Sequence, residues 1–79
     1  MITVEGDGQM RNYVAEMRKQ YRLTQEELAQ SVGVTRQTIT SIECGKYTAS
    51  LVLAYRLASF FNLRIEQLFD FTSLTEDDI

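Results

Sequence analysis

Seventy-nine residues, 44% hydrophobic and 24% charged, fit one soluble globular domain and neither two domains nor a disordered chain. One cysteine and no histidine leave no intrachain disulfide and nearly exclude a zinc site, so no metal is expected, and a lone thiol fits a reducing, cytoplasmic compartment. The net charge of −3 argues at first against a nucleic-acid partner, but residues 9–69 hold all eight Lys/Arg against five acids, so the middle is +3 and the acidity sits in the tails.

The first eight residues end in Gly6 and Gly8 and carry Glu5 and Asp7, without the positive start of a signal peptide. Within them Ile2-Thr3-Val4-Glu5 alternates apolar and polar, which allows either a disordered lead-in or a short strand able to pair with a copy. We therefore expect a lead-in over 1–9, a folded domain over 10–71 and an acidic tail over 72–79.

From Met10 onward the spacing is helical. Met10, Tyr13, Val14, Met17 and Tyr21 fall at steps of three or four and predict a first helix with one apolar stripe. Thr24-Gln25-Glu26-Glu27 is a capping box, a Thr hydroxyl for free N–H groups with Glu three residues on, and it opens a second helix burying Leu28, Ala29 and Val32. Gly33 ends that helix in the left-handed conformation. Thr35 caps a third, with Ile39 and Ile42 inward, and Gly45 stops it. Ser50 caps a fourth helix whose stripe is Leu51, Ala54, Leu57, Ala58 and Phe61, ended at Asn62. Leu63 to Phe69 predicts a short fifth helix carrying Ile65, Leu68 and Phe69. The fold class is all-α, with no run near the roughly 20 apolar residues that cross a bilayer: Leu51 to Phe61 is shorter and broken by Arg56.

Two capped helices around Val32-Gly33-Val34, over residues 24–43, have the form of a helix-turn-helix. The second, residues 35–43, turns Arg36, Gln37, Thr40 and Ser41 outward from Ile39 and Ile42. Major-groove readout needs such donors and acceptors in the first turns, with Arg suited to guanine and Gln to adenine, so these four are the candidate base readers. Thr24, Gln25 and Thr35 stand at helix N-termini, where free N–H groups attract phosphate, and Lys46 and Tyr47 follow the third helix. These five are the candidate phosphate contacts, which set register and not sequence preference. Taken alone, a polar Thr-capped face is a solvated face; the ordered series of caps, turn glycine and inward isoleucines is what points to DNA.

Residues 14–69 also resemble the Cro/cI-type, phage-repressor-like helix-turn-helix family (the Xre family). The matching text is Leu23-Thr24-Gln25-Glu26-Glu27-Leu28-Ala29, Val32-Gly33-Val34-Thr35-Arg36-Gln37-Thr38-Ile39, Ile42-Glu43, Gly45-Lys46-Tyr47, Ser50-Leu51 and Leu57-Ala58. The resemblance implies a five-helix domain and a transcriptional regulator, usually dimeric on a two-fold operator. It implies DNA contacts at Gln25, Thr35, Arg36, Gln37 and Ser41, and an ion pair of Arg18 with Glu43 that ties the first helix to the recognition helix. Three positions depart from the pattern: Cys44 where Asn is frequent, weakening one implied phosphate contact; Ala49 where Pro is frequent; and Arg22 where Gly is frequent, which alters the end of the first helix. For Cys44 an inert thiol is the plain reading and a redox switch the alternative.

Ile65, Leu68, Phe69, Phe71 and Leu74 gather at the C-terminal end, more apolar area than a small monomer hides. They are the candidate interface of a symmetric homodimer, which would set recognition helices about 34 Å apart; the alternative is that all five finish the core. The partner expected is double-stranded DNA, with a repressor role. The rival reading is a protein-interaction module on the same fold, such as an antitoxin. An enzyme is excluded: Cys44 has no His base, the acids fall mainly in tails or helix caps, and no Gly-rich phosphate loop exists. No cofactor and no small-molecule ligand domain are expected.

Overall fold

In the computed structural model, which describes residues 11–46 and 49–73, the helix starts fall on the residues that chemistry selects. The helices are α1 (Val14–Gln20), α2 (Gln25–Val32), α3 (Arg36–Glu43), α4 (Leu51–Phe60) and α5 (Ile65–Leu68), followed by a 3-10 turn over Phe71–Ser73. Thr24 closes a full capping box: its Oγ1 accepts from the Glu27 N–H at 3.0 Å, and Glu27 Oε1 accepts from the Thr24 N–H at 2.8 Å. Thr35 and Ser50 cap α3 and α4 by accepting from the N–H groups of Thr38 and Leu53. The expected lead-in, Met10, Tyr47, Leu74 and the acidic end lie outside the described residues.

Helix ends obey one device. Arg22, Gly45 and Asn62 take positive φ just past α1, α3 and α4. In each case two N–H groups fold back onto the last turn, as Gly45 N–H to the Ile42 carbonyl and Lys46 N–H to the Ser41 carbonyl show for α3. Arg22 at φ 61° is the costly one, because its Cβ crowds the backbone there whereas glycine has none. Arg22→Gly is expected to raise the melting temperature by a few degrees, corresponding to about 0.5–1 kcal/mol. A drop measured by thermal denaturation would show that the arginine side chain outweighs its backbone strain.

The core is Val14, Leu28, Ala29, Val32, Ile39, Ile42, Leu53, Ala54, Leu57, Ala58, Phe61, Leu68 and Phe69. It differs from the expected stripes in four places. Tyr13 and Tyr21 are more than 40% exposed. Tyr21 covers the core edge instead, its ring edge-on to Phe61 at 5.2 Å and its hydroxyl donating to the Phe61 carbonyl at 3.3 Å. In α4 the buried stripe begins at Leu53, not Leu51: at 100° per residue 53, 54, 57, 58 and 61 share one side, while Leu51 flanks it in the open first turn.

The fifth helix is one turn, not seven residues. Beyond it Phe69 turns extended and bridges antiparallel to Asn12, with Tyr13 N–H donating to the Leu68 carbonyl at 2.9 Å and Asp70 N–H to the Arg11 carbonyl at 2.8 Å. Asn12 Nδ2 also donates to the Ile42 carbonyl at 2.9 Å, tying this bridge to the end of α3. Asp70 Oδ1 accepts from the Thr72 hydroxyl and its N–H, and these bonds, the hydroxyl's first, hold the carboxyl below its usual range. The bridge explains why Leu68 and Phe69 are not free for an interface: both are sealed in the monomer's own core. Ile65 packs half-buried against that core, while Phe71 remains 44% exposed.

Candidate nucleic-acid interface

α2 and α3 meet through Leu28, Ala29, Val32, Ile39 and Ile42, all buried. The turn between them is short because Gly33, at φ 81°, lets its own N–H and that of Val34 both reach the Ala29 carbonyl. Ile39 and Ile42 fix the roll of α3, so its opposite side stands in solvent. Arg36 and Gln37 are exposed in the first turn, and Ser41 is half-buried one turn on. Thr35, Gln37, Thr38 and Ser41 line a shallow depression of about 150 Å³. Thr38 is the member that sequence reasoning missed. Its signal was its place three residues after the Thr35 cap, on the same face, and the two hydroxyls lie 3.1 Å apart.

Thr40 behaves differently from the other three residues expected at bases. It is half-buried like Ser41, but its hydroxyl lies 3.0 Å from Gln25 Oε1 and 3.1 Å from the Arg36 carbonyl. It faces α2 rather than open solvent. Of the residues expected at phosphates, Thr24 and Thr35 are exposed at the N-termini of α2 and α3, and Lys46 is exposed just past α3. Gln25 is half-buried, its Nε2 donating to Glu43 Oε1 at 3.0 Å.

Glu43 is the hub of this corner. Arg18 Nε donates to its Oε2 at 2.7 Å and Nη2 to its Oε1 at 3.2 Å, a two-pronged pair between α1 and α3. The two side chains are 14% and 8% exposed, so water screens the pair little. Arg18 Nη1 also donates to the Leu23 carbonyl at 2.8 Å, placing the α1–α2 connection on the same guanidinium. Glu26 and Glu27 in the first turn of α2 are spent on Gln30 and on the cap. Cys44 is exposed at the end of α3.

A helix-turn-helix family model matches residues 14–68. The chain belongs to the Cro/cI-type helix-turn-helix family. The match spans all five helices. An uncharacterized HTH-type transcriptional regulator of Archaeoglobus fulgidus is 56% identical over 62 residues, covering 78% of this chain and 89% of that protein. Another from Methanocaldococcus jannaschii is 48% identical over 69 residues, 87% of this chain and 98% of the relative. Among solved structures, the restriction-modification controller protein C.AhdI of Aeromonas hydrophila superposes with a TM-score of 0.65 at 32% identity, over 71% of this chain and 81% of that one. This helix-turn-helix protein is therefore a transcriptional regulator with an all-α DNA-binding domain, and its family is one of DNA-binding proteins, not enzymes. Among the described residues no helix is long and apolar enough to cross a membrane.

Proposed function

We propose that the protein is a sequence-specific repressor that binds a two-fold operator as a homodimer, with α3 in the major groove. The observation that carries this is the polar outer face of α3, with Arg36 and Gln37 exposed and Ser41 half-buried, on a helix whose roll Ile39 and Ile42 fix from behind. Thr35 and Thr38 border that face. Thr24, Gln25, Thr35 and Lys46 are the phosphate contacts of this reading, with Tyr47 beyond the described residues.

Two substitutions test the placement. Arg36→Ala should cost about 1–3 kcal/mol on the operator and relax preference at one base pair. Lys46→Ala should weaken binding evenly on all sequences and lower the salt slope by about one unit. Binding assays in which these two signatures are exchanged would place α3 wrongly.

The homodimer is supported by apolar surface left open, though not at the five residues expected. Leu68 and Phe69 are spent on the core, whereas Leu51, Val52 and Tyr55 of α4 are 77%, 60% and 63% exposed. The three carry no charge and lie on one side of α4, and a lone half-site with a +3 core would bind DNA weakly. Leu51→Asp should shift the protein to a folded monomer in sedimentation equilibrium, with a melting temperature that no longer depends on protein concentration. An unchanged mass would return the interface to Phe71 and the segment after it.

A further inference from the structure

We propose that Thr40 is a positioning residue: it holds the Gln25 side chain in the orientation that presents one N–H to a DNA phosphate. The inference rests on the DNA-binding reading above and goes beyond it by removing Thr40 from the base readers and giving it a different task.

The chemistry of the corner fixes which way the Gln25 amide faces. Glu43 is a carboxylate held by Arg18, and an ionised carboxylate only accepts, so the Gln25 atom 3.0 Å away is the nitrogen. The oxygen then faces Thr40, whose hydroxyl is its donor at 3.0 Å. Both ends of one amide are thus specified by groups of opposite character on α3. The hydroxyl has one proton and two acceptors within reach, Gln25 Oε1 at 3.0 Å and the Arg36 backbone carbonyl at 3.1 Å, so the two share that proton. A side-chain amide carries two N–H groups. Glu43 takes one, and among the described residues no protein acceptor takes the other. Gln25 is the first residue of α2, at the end where the helix's own free N–H groups lie. The remaining amide proton therefore joins them as a donor for a phosphate oxygen.

The chain Arg18–Glu43–Gln25–Thr40 links α1, α2 and α3 through side chains alone. Its benefit is order established before binding. A glutamine free to rotate would lose that freedom on the phosphate, whereas one already pinned at both ends loses little. Thr40→Val keeps the shape and removes the hydroxyl, so it releases the amide without emptying any space.

The experiment measures affinity of the full chain for its selected operator and for operators altered at each base pair, in wild type, Thr40→Val, Thr40→Ser, Gln25→Ala and the Gln25→Ala/Thr40→Val double variant. Thr40→Val should bind about three- to tenfold more weakly on every sequence, the loss expected when one side chain must be ordered on binding. Its salt slope should match wild type, because an amide neutralises no phosphate charge. Thr40→Ser should restore affinity, and the double variant should bind no worse than Gln25→Ala alone. Altered preference at one base pair would make Thr40 a base reader and overturn the proposal. So would additive losses in the double variant, or wild-type affinity in Thr40→Val.

A second readout separates this inference from the DNA-binding reading. In the free protein the Gln25 side-chain N–H₂ signals, followed by NMR, should show restricted motion that is lost in Thr40→Val and kept in Thr40→Ser. If wild type selects no DNA, the regulator reading falls while this result still decides what Thr40 does. Motion unchanged by Thr40→Val would overturn the positioning role.

Discussion

Glu43→Ala is expected to destabilise the protein by about 3 kcal/mol, measured as a lower urea midpoint with the slope unchanged. Removing one partner of a largely dehydrated, partly buried pair leaves the other charge without compensation, and that, not the lost attraction, is the main cost. Arg18 is 14% exposed and keeps the Leu23 carbonyl, which places the effect at the lower end of the usual range. Set against a total of about 4–12 kcal/mol for a domain of this size, the loss is large. Replacing both members, as in Arg18→Met with Glu43→Leu, should return most of the stability, because no buried charge remains. It should not return DNA affinity, since Gln25 would still lack the carboxylate that orients it. A double variant as unstable as Glu43→Ala would show that the geometry of the pair itself carries the energy.

Ile39→Ala should cost about 2–5 kcal/mol and lower the melting temperature by about 10 °C or more. Ile39 is fully buried on the inner side of α3, so truncation leaves a cavity in the core beneath that helix. Gln37→Ala, two positions earlier on the exposed side, should leave stability within about 0.5 kcal/mol. The contrast separates the two sides of one helix: one supplies the fold, the other is free to meet DNA. Similar effects at both positions would mean that α3 is rolled differently about its axis.

The starts of α2, α3 and α4 were legible because Thr24, Thr35 and Ser50 are short side chains with an oxygen in reach of the first free N–H groups. The ends at Gly33, Gly45 and Asn62 were legible for the complementary reason, tolerance of positive φ. Arg22 was marked as unusual at its position, but a side chain that resists that conformation gives no local sign that it adopts it. The bridge between Asn12 and Phe69 was not legible, because it joins residues far apart in sequence and neither has a strand pattern around it. That bridge decided the fate of Leu68 and Phe69, so the interface assigned to them lost two of its five members. Leu51 misled for a simpler reason. Its spacing fits the stripe of α4, yet the first turn of a helix can extend past the core it joins.

The candidate site divides in the same way. Arg36, Gln37 and Ser41 follow from helical period once Ile39 and Ile42 are set inward, since outward direction is a property of one helix alone. By the same period Thr40 falls between Arg36 and Gln37 on that face, yet its hydroxyl is engaged by a glutamine fifteen residues earlier, on another helix. Period cannot show a contact of that kind. Resemblance to the family supplied the Arg18–Glu43 pair, and the structure adds that the same carboxylate also holds Gln25.

The most direct test of the central claim is selection of bound DNA from a random pool by the full chain, with the winning sequence retested across a salt series. A two-fold symmetric site, bound with affinity that falls steeply as salt rises, is the predicted result. No enrichment, with only weak binding indifferent to sequence, would contradict it and move the exposed face of α3 and the open side of α4 to a protein partner.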